Sequence, residues 1–350
     1  LDHFGVLSLH GFGCENLTQG MIAAGAVILY LDDTQKQHLS HISRLVPYSL
    51  SSHMILDPAT RRNLELTRTL REGERRGSLL WVLDQTQTPM GARLLRQWLE
   101  QPLISGDAIS YRLDAIEDLV KSDLQRAELR ELLKAVYDIP RLLGRVALGT
   151  ANGRDLQSLA GSLGQLPIIR PPLTEVASVP SLLALLERLD PCLDITNAIQ
   201  ETLVDNPPIS IHEGGLIRPG FSDEVDRLRD ACQDGQAWIA ALEQQERERT
   251  GIKSLKVGFN KVFGYYIEIT RPNLALVPES YERKQTLANA ERFVTSELKE
   301  KEELILGAEE RIVELEYELF CELRTAVASH AERIQSVAEA LAELDVYCSL

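Results

Sequence analysis

The stretch Leu255-Lys256-Val257-Gly258-Phe259-Asn260-Lys261-Val262-Phe263-Gly264-Tyr265-Tyr266-Ile267-Glu268-Ile269 changes the period of the chain. Leu255, Val257 and Phe259, and again Tyr265, Ile267 and Ile269, fall on every second position, the spacing of one face of a strand. Asn260 and Gly264 lie in the connection between the two runs, so the stretch predicts a β-hairpin. On either side the period is helical. From Ser222 to Arg249, Val225, Leu228, Cys232, Ile239 and Leu242 stripe a highly charged segment that stops at Thr250-Gly251. From about Glu291 past residue 325, Ile305, Ala308, Ile312, Leu315 and Leu319 step by 3, 4, 3 and 4, the spacing of a coiled-coil seam. Two long polar helices joined by a short β segment pack most simply as an antiparallel pair, with that segment at the far tip.

Upstream the pattern is helical as well. An apolar run from Met21 to Leu31 follows a Gly11-Phe12-Gly13 turn and reads as one helix. Asp57-Pro58 and Thr88-Pro89 each combine an N-cap residue with proline at the first helical position. Further helices are expected over about 107–121, 123–137, 140–154 and 155–166. Between 167 and 220 the pairs Pro171-Pro172, Pro207-Pro208, Gly214-Gly215 and Pro219-Gly220 predict loops or hinges. The fold class expected is mainly α, a multi-helix body with two long antiparallel helices carrying a small β-containing tip.

Charge separates the tip from the rest. The 350 residues include 52 acidic and 37 basic side chains, a net charge of -15 that argues against a general nucleic-acid coat. Over residues 253–292, however, seven cations stand against four glutamates, leaving +3 on the tip and -18 elsewhere. Groups that bond phosphate oxygens are concentrated there. The cationic candidates are Lys253, Lys256, Lys261, Arg271, Arg283 and Lys284, and the neutral donors are Asn260, Gln285, Thr286 and Asn289. Each could equally be a solubilising surface residue, and Asn260 could simply serve the turn.

Other chemistries are excluded by what the chain lacks. None of its nine lysines follows a glycine, so it has no P-loop. No nucleophile, base and orienter can be assembled, so catalysis by this chain alone is not expected. Five scattered cysteines without a Cys-x-x-Cys, and the close pair His38 and His41 without a third ligand, predict neither disulfides nor a metal site. No apolar run is long enough to span a bilayer and no secretory signal is present, which predicts a cytoplasmic protein. The chain begins at Leu1 without Met and stops within a helical pattern, as an excised piece would.

The hairpin stretch, followed by Arg283-Lys284-Gln285-Thr286-Leu287-Ala288-Asn289-Ala290-Glu291-Arg292-Phe293, closely resembles the clamp domain of the MutS family of DNA mismatch-repair proteins. Leu56-Asp57-Pro58-Ala59-Thr60-Arg61-Arg62-Asn63-Leu64-Glu65 and Thr88-Pro89-Met90-Gly91-Ala92-Arg93-Leu94-Leu95-Arg96-Gln97-Trp98-Leu99 resemble the opening of that family's lever, or core, domain. Gly214 to Phe221 resembles the entry to its clamp arm. The resemblance implies the end of a connector domain over 1–35, a lever domain over 36–220, the clamp and its arm over 221–304, and a returning lever helix over 305–350. It implies non-specific contact with the backbone of double-stranded DNA, a homodimer, a MutL-like partner, and coupling of the clamp to a distant ATPase that uses ATP and Mg. That ATPase and the family's N-terminal mismatch reader, with its Phe-x-Glu, are expected to lie outside this chain. Phe320-Cys321-Glu322 falls within the heptad helix and is read as coincidence. The alternative is a helical scaffold whose arm and basic tip bind a protein partner.

Overall fold

The computed structural model describes residues 3, 17–35, 42, 45, 52–260 and 264–350. The Gly11-Phe12-Gly13 turn, Cys14, His38, His41 and Lys261 lie outside the described residues. The chain divides into a helical unit, 1–200 with 322–350, and an arm unit, 201–321.

The helical unit begins with α1 (Thr18–Gln35), α2 (Pro58–Asn63), α3 (Leu79–Leu83), α4 (Pro89–Glu100), α5 (Gly106–Lys121) and α6 (Asp123–Leu133). It continues with α7 (Ile139–Ala147), α8 (Gly153–Leu163), α9 (Leu166–Val176), α10 (Pro180–Arg188) and α11 (Leu193–Thr202). Caps form where the residue types anticipate them. Asp57 accepts from Thr60 N–H at 2.7 Å, and Thr88 Oγ1 accepts from Gly91 N–H at 3.0 Å. Asn152 and Asp155 close a capping box at the start of α8.

The core of this unit is built round its last helix, α14 (Ala331–Ser349), which packs against α4, α5, α6, α7 and α10. Ile334, Val337, Leu341, Leu344 and Val346 are buried, and so are Ala338, Ala340 and Ala342 between them. A helix apolar on nearly every side is stable only when other helices surround it.

One expectation fails here. The segment from 167 onward is not a run of loops: α9, α10 and α11 occupy most of 166–202, and Pro171-Pro172 lies inside α9. Burial overrides the proline cost. Leu166, Ile169, Leu173 and Val176 recur at 3, 4 and 3 and are all buried, while Arg170 donates to the carbonyls of Leu186 (2.7 Å) and Leu189 (2.5 Å) at the end of α10. The later pairs do break the chain, with positive φ at Gly214, Gly215 and Gly220.

Arg333 of α14 joins α14 to the turn before α11. Its guanidinium meets Asp190 at 2.5 and 3.0 Å and Asp194 at 2.7 Å, and these bonds hold both carboxyls below their usual range. Carboxyls depressed in the folded state stabilise it above their unfolded value of about 3.9, and that contribution is lost as the pH falls through the folded values. Arg333→Met is therefore expected to cost stability at pH 7 and progressively less below about pH 4. Urea melts of both proteins at pH 7 and pH 3 check this; an equal difference at the two pH values would contradict it.

The arm unit is two long helices and a sheet. α12 (Asp223–Thr250) starts at the cap Ser222 and ends at Gly251, whose φ of +72° is the left-handed C-cap that glycine adopts without steric cost. α13 (Ser296–Ser329) is unbroken, and the division between the units falls within it. Early residues of α12 meet late ones of the arm part of α13, as in Arg229 with Glu316 at 2.6 Å. Late ones meet early ones, as in Ile239 and Leu242, which share a core with Leu298 and Ile305. The pair is antiparallel, as the short β segment joining the two helices predicts. Phe320 is buried within α13, the setting of a packing residue.

Between the helices lie β1 (Lys256–Asn260), β2 (Gly264–Thr270), a 3-10 turn over Arg271–Leu276, β3 (Glu282–Thr286) and β4 (Ala290–Val294). They form one antiparallel sheet in the order β1-β2-β4-β3. The predicted hairpin is β1-β2. The second hairpin corrects the expectation that the returning helix starts near Glu291: residues 290–294 are strand, paired on both sides.

Candidate nucleic-acid interface

The two faces of the sheet have different partners. Val257, Ile267 and Phe293 are cross-strand neighbours and turn, with Tyr265 and Ile269, onto Leu242, Leu255 and Leu298. This core fixes the sheet on the end of the arm. Tyr281 reinforces it: its hydroxyl donates to Glu246 at 2.6 Å, and burial, followed by that carboxylate, raises its pKa. Glu246 also takes two bonds from Arg249, at 2.9 and 2.7 Å.

On the other face, Lys256, Glu268, Arg292 and Gln285 form a row across all four strands. Arg292 meets Glu268 at 3.1 Å and the Gln285 amide oxygen at 2.9 Å, and its guanidinium lies 3.9 Å from the Tyr266 ring centre. Its charge is thereby committed within the sheet.

The direction of β1 decides which end of the sheet is the tip. Arg247 donates to Leu255 O at 2.7 Å and Val257 N–H donates to Glu243 at 2.9 Å, so β1 runs back along α12. Its Asn260 end approaches α13, where Tyr265 N–H donates to Glu302 at 3.1 Å. Gly264, the first residue of β2, has φ +70°, which glycine adopts without steric cost, and a Cβ there would displace the Glu302 carboxylate. The opposite end of the sheet, where Lys256, Thr270, Thr286 and Ala290 sit, lies away from the Glu302 contact.

The sequence candidates divide accordingly. Lys253, Lys256, Arg271, Thr286 and Asn289 gather at the free end, with Arg271 N–H bonded to Asn289 O at 3.1 Å and Arg271 Nη2 3.5 Å from Leu287 O. Lys253, Lys256 and Arg271 are exposed and make no ion pair with any described residue. Lys284, also exposed and without an ion pair, sits on the edge strand β3 at the irregularity between Arg283 and Gln285. Arg283 is held by Glu291 at 3.4 Å. Gln285 has its oxygen committed to Arg292, and Asn260 is half-buried at the other end, away from the cluster. Sequence reasoning omitted Tyr266 from this face; its place one residue out of step with Tyr265 and Ile267 was the available signal.

A family model described as MutS domain III matches residues 59–350, and one described as MutS domain II matches residues 1–43. The chain belongs to the MutS family. The DNA mismatch repair protein MutS of Symbiobacterium thermophilum is 54% identical to it over 348 residues, which cover 99% of this chain and 40% of the relative. That of Halothermothrix orenii is 52% identical over 350 residues, 100% of this chain and 39% of the relative. That of Acetivibrio thermocellus is 54% identical over 328 residues, 94% and 38%. The chain thus spans about 40% of the length of these MutS relatives. Both units described above contribute to the MutS domain III match. Among the described residues no group of three His, Cys, Asp or Glu is placed to hold a metal ion, and no helix is long and apolar enough to cross a membrane. Cys192, Cys232, Cys321 and Cys348 form no disulfide.

Proposed function

We propose that this chain is the lever and clamp region of a MutS-type mismatch-repair protein, and that its sheet grips the phosphate backbone of duplex DNA without reading sequence. The observation that carries this reading is the cluster of unpaired cations, Lys253, Lys256 and Arg271, with Thr286 and Asn289 at the free end of an otherwise acidic arm. Lys284 adds a fourth free cation on the edge strand. Donors of this kind position a protein on DNA. The division into connector end (1–35), lever (36–220), clamp and arm (221–304) and returning helix (305–350) belongs to the same proposal.

Coupling to a distant ATPase follows from stiffness. The paired helices α12 and α13 carry the sheet, so a tilt of this pair would displace it. ATP and Mg would act in the full-length protein, as would a homodimer and a MutL-like partner, in the cytoplasm.

Anisotropy titrations of a labelled random-sequence duplex at low and high salt test the contact. The chain is expected to bind with a Kd of about 10⁻⁴ to 10⁻⁶ M at physiological salt, weakening as salt rises. The triple variant Lys253→Glu, Lys256→Glu, Arg271→Glu should bind matched and mismatched duplex equally less well, and flatten the salt slope by about 2 to 3. Arg283→Glu should do much less. Binding and slope unchanged in the triple variant would remove these residues from the interface, and no binding at low salt would favour a scaffold that docks on protein.

A further inference from the structure

We propose that the arm carries a second binding site, a groove between α12 and α13 that takes a basic amphipathic helix from a partner protein. The groove encloses about 800 Å³ and lies wholly within the arm unit. On α12 its wall is Leu228, Ala231, Gly235 and Trp238, which step by 3, 4 and 3. On α13 it is Lys301, Leu304, Ala308 and Arg311, which step by the same intervals. Ile305 closes the floor between them, packed so near Gly235 that a Cβ there would stand 2.6 Å from Ile305 Cγ1.

Two parallel walls with heptad spacing are what a third helix needs in order to seat its own side chains between them. Each wall spans about three turns, or about 15 Å. Leu304 is 65% exposed although it lies on the wall, so the heptad seam that joins α12 to α13 does not use it. Ala231 and Leu304, both exposed, stand beside Leu228, Ile305 and Ala308 of the seam and widen it into an apolar track open to solvent.

Charge selects the occupant. α12 carries eight acidic and four basic side chains, and residues 296–321 carry nine and three, a net charge of -10 on the helices that form the groove. The cations on the walls are already engaged: Lys301 stands over the Trp238 ring at 5.8 Å, and Arg311 is shared by Glu314 at 3.2 Å and Glu224 at 3.9 Å. Asp234 and Glu303, which also line the groove, make no ion pair with any described residue. A helix with an apolar stripe and lysines or arginines beside it would bury the track and meet these carboxylates. Duplex DNA is repelled by the same charge, so this site is distinct from the tip and does not depend on the tip's role.

Three fluorescein-labelled synthetic peptides test the proposal against the whole chain: one with Leu at 3-4-3 spacing and lysines elsewhere, one with the same leucines and glutamates, and one with the lysine composition scrambled. The basic amphipathic peptide is expected to bind at least about tenfold tighter than the other two, and Leu304→Arg to weaken it about tenfold. Leu304 is exposed, so this variant should keep the wild-type circular dichroism. The double variant Asp234→Lys, Glu303→Lys should lose the basic peptide and gain the acidic one. Equal binding of the scrambled peptide, or indifference to Leu304→Arg, would overturn the site. So would sedimentation showing that the chain dimerises through this face and that Leu304→Arg dissolves the dimer.

Discussion

Replacing Glu316 by alanine is expected to lower the unfolding free energy by about 3–5 kcal/mol, the cost of removing one partner of a buried ion pair. Glu316 is 1% exposed in α13, where one oxygen accepts from Arg229 of α12 at 2.6 Å and the other from Leu216 N–H at 2.7 Å. Arg229 in turn donates to Ile217 O at 2.7 Å and meets Asp226 at 3.0 Å. A single carboxylate thus ties α13, α12 and the chain entering α12 at the root of the arm. Without it, the buried Leu216 N–H loses its acceptor and the half-buried Arg229 guanidinium keeps only Ile217 O and Asp226. Denaturant melts measure the loss. Arg229→Met should cost a comparable amount, and the double variant Glu316→Leu, Arg229→Met less than the sum, because no unpaired charge is then left inside. Additive losses would mean that the two side chains act independently.

Asp345→Ala is expected to cost about 3 kcal/mol, from two buried donors left without an acceptor at about 1–3 kcal/mol each. Asp345 of α14 is 1% exposed and caps the start of α4, accepting from Gln87 N–H at 2.9 Å, Thr88 N–H at 2.7 Å and Thr88 Oγ1 at 2.6 Å. Gly91 leaves room for it; a Cβ there would stand 2.9 Å from that of Asp345. Burial pushes the Asp345 carboxyl above its usual range despite these bonds. A carboxyl raised in the folded state adds most stability below its unfolded value of about 3.9, and loses that advantage as the pH rises through the folded value. The stability of the wild type relative to Asp345→Asn should therefore fall as the pH is raised from about 4. A difference that grows instead would mean that the hydrogen bonds outweigh desolvation.

Much of this architecture is legible in residue order because it rests on local rules. The caps at Asp57, Thr88 and Ser222, the glycine stop at Gly251 and the alternation around Ile267 each involve residues only a few positions apart. α9 was not legible. Its proline pair carries a strong local signal, whereas the burial of Leu166, Ile169 and Leu173 that opposes it comes from neighbouring helices. The start of α13 is not legible for a similar reason. Nothing in Ala290 to Val294 alone distinguishes a strand from the first turn of a helix, and the choice is made by pairing with residues 267–270 and 282–286.

By itself, then, the sequence determined the helical body, the two-helix arm with its seam, the β segment between them and membership of the MutS family. Those features follow from periodicity and from long ordered motifs, which survive without knowledge of any contact. The tertiary structure alone decided which charges are free. Arg292 and Arg283 resemble Lys253, Lys256 and Arg271 in residue order, yet Glu268 and Glu291 hold the first two while the other three stand clear at the tip. A side chain's availability depends on what lies across the strand or the neighbouring helix, and that distance is closed only by folding.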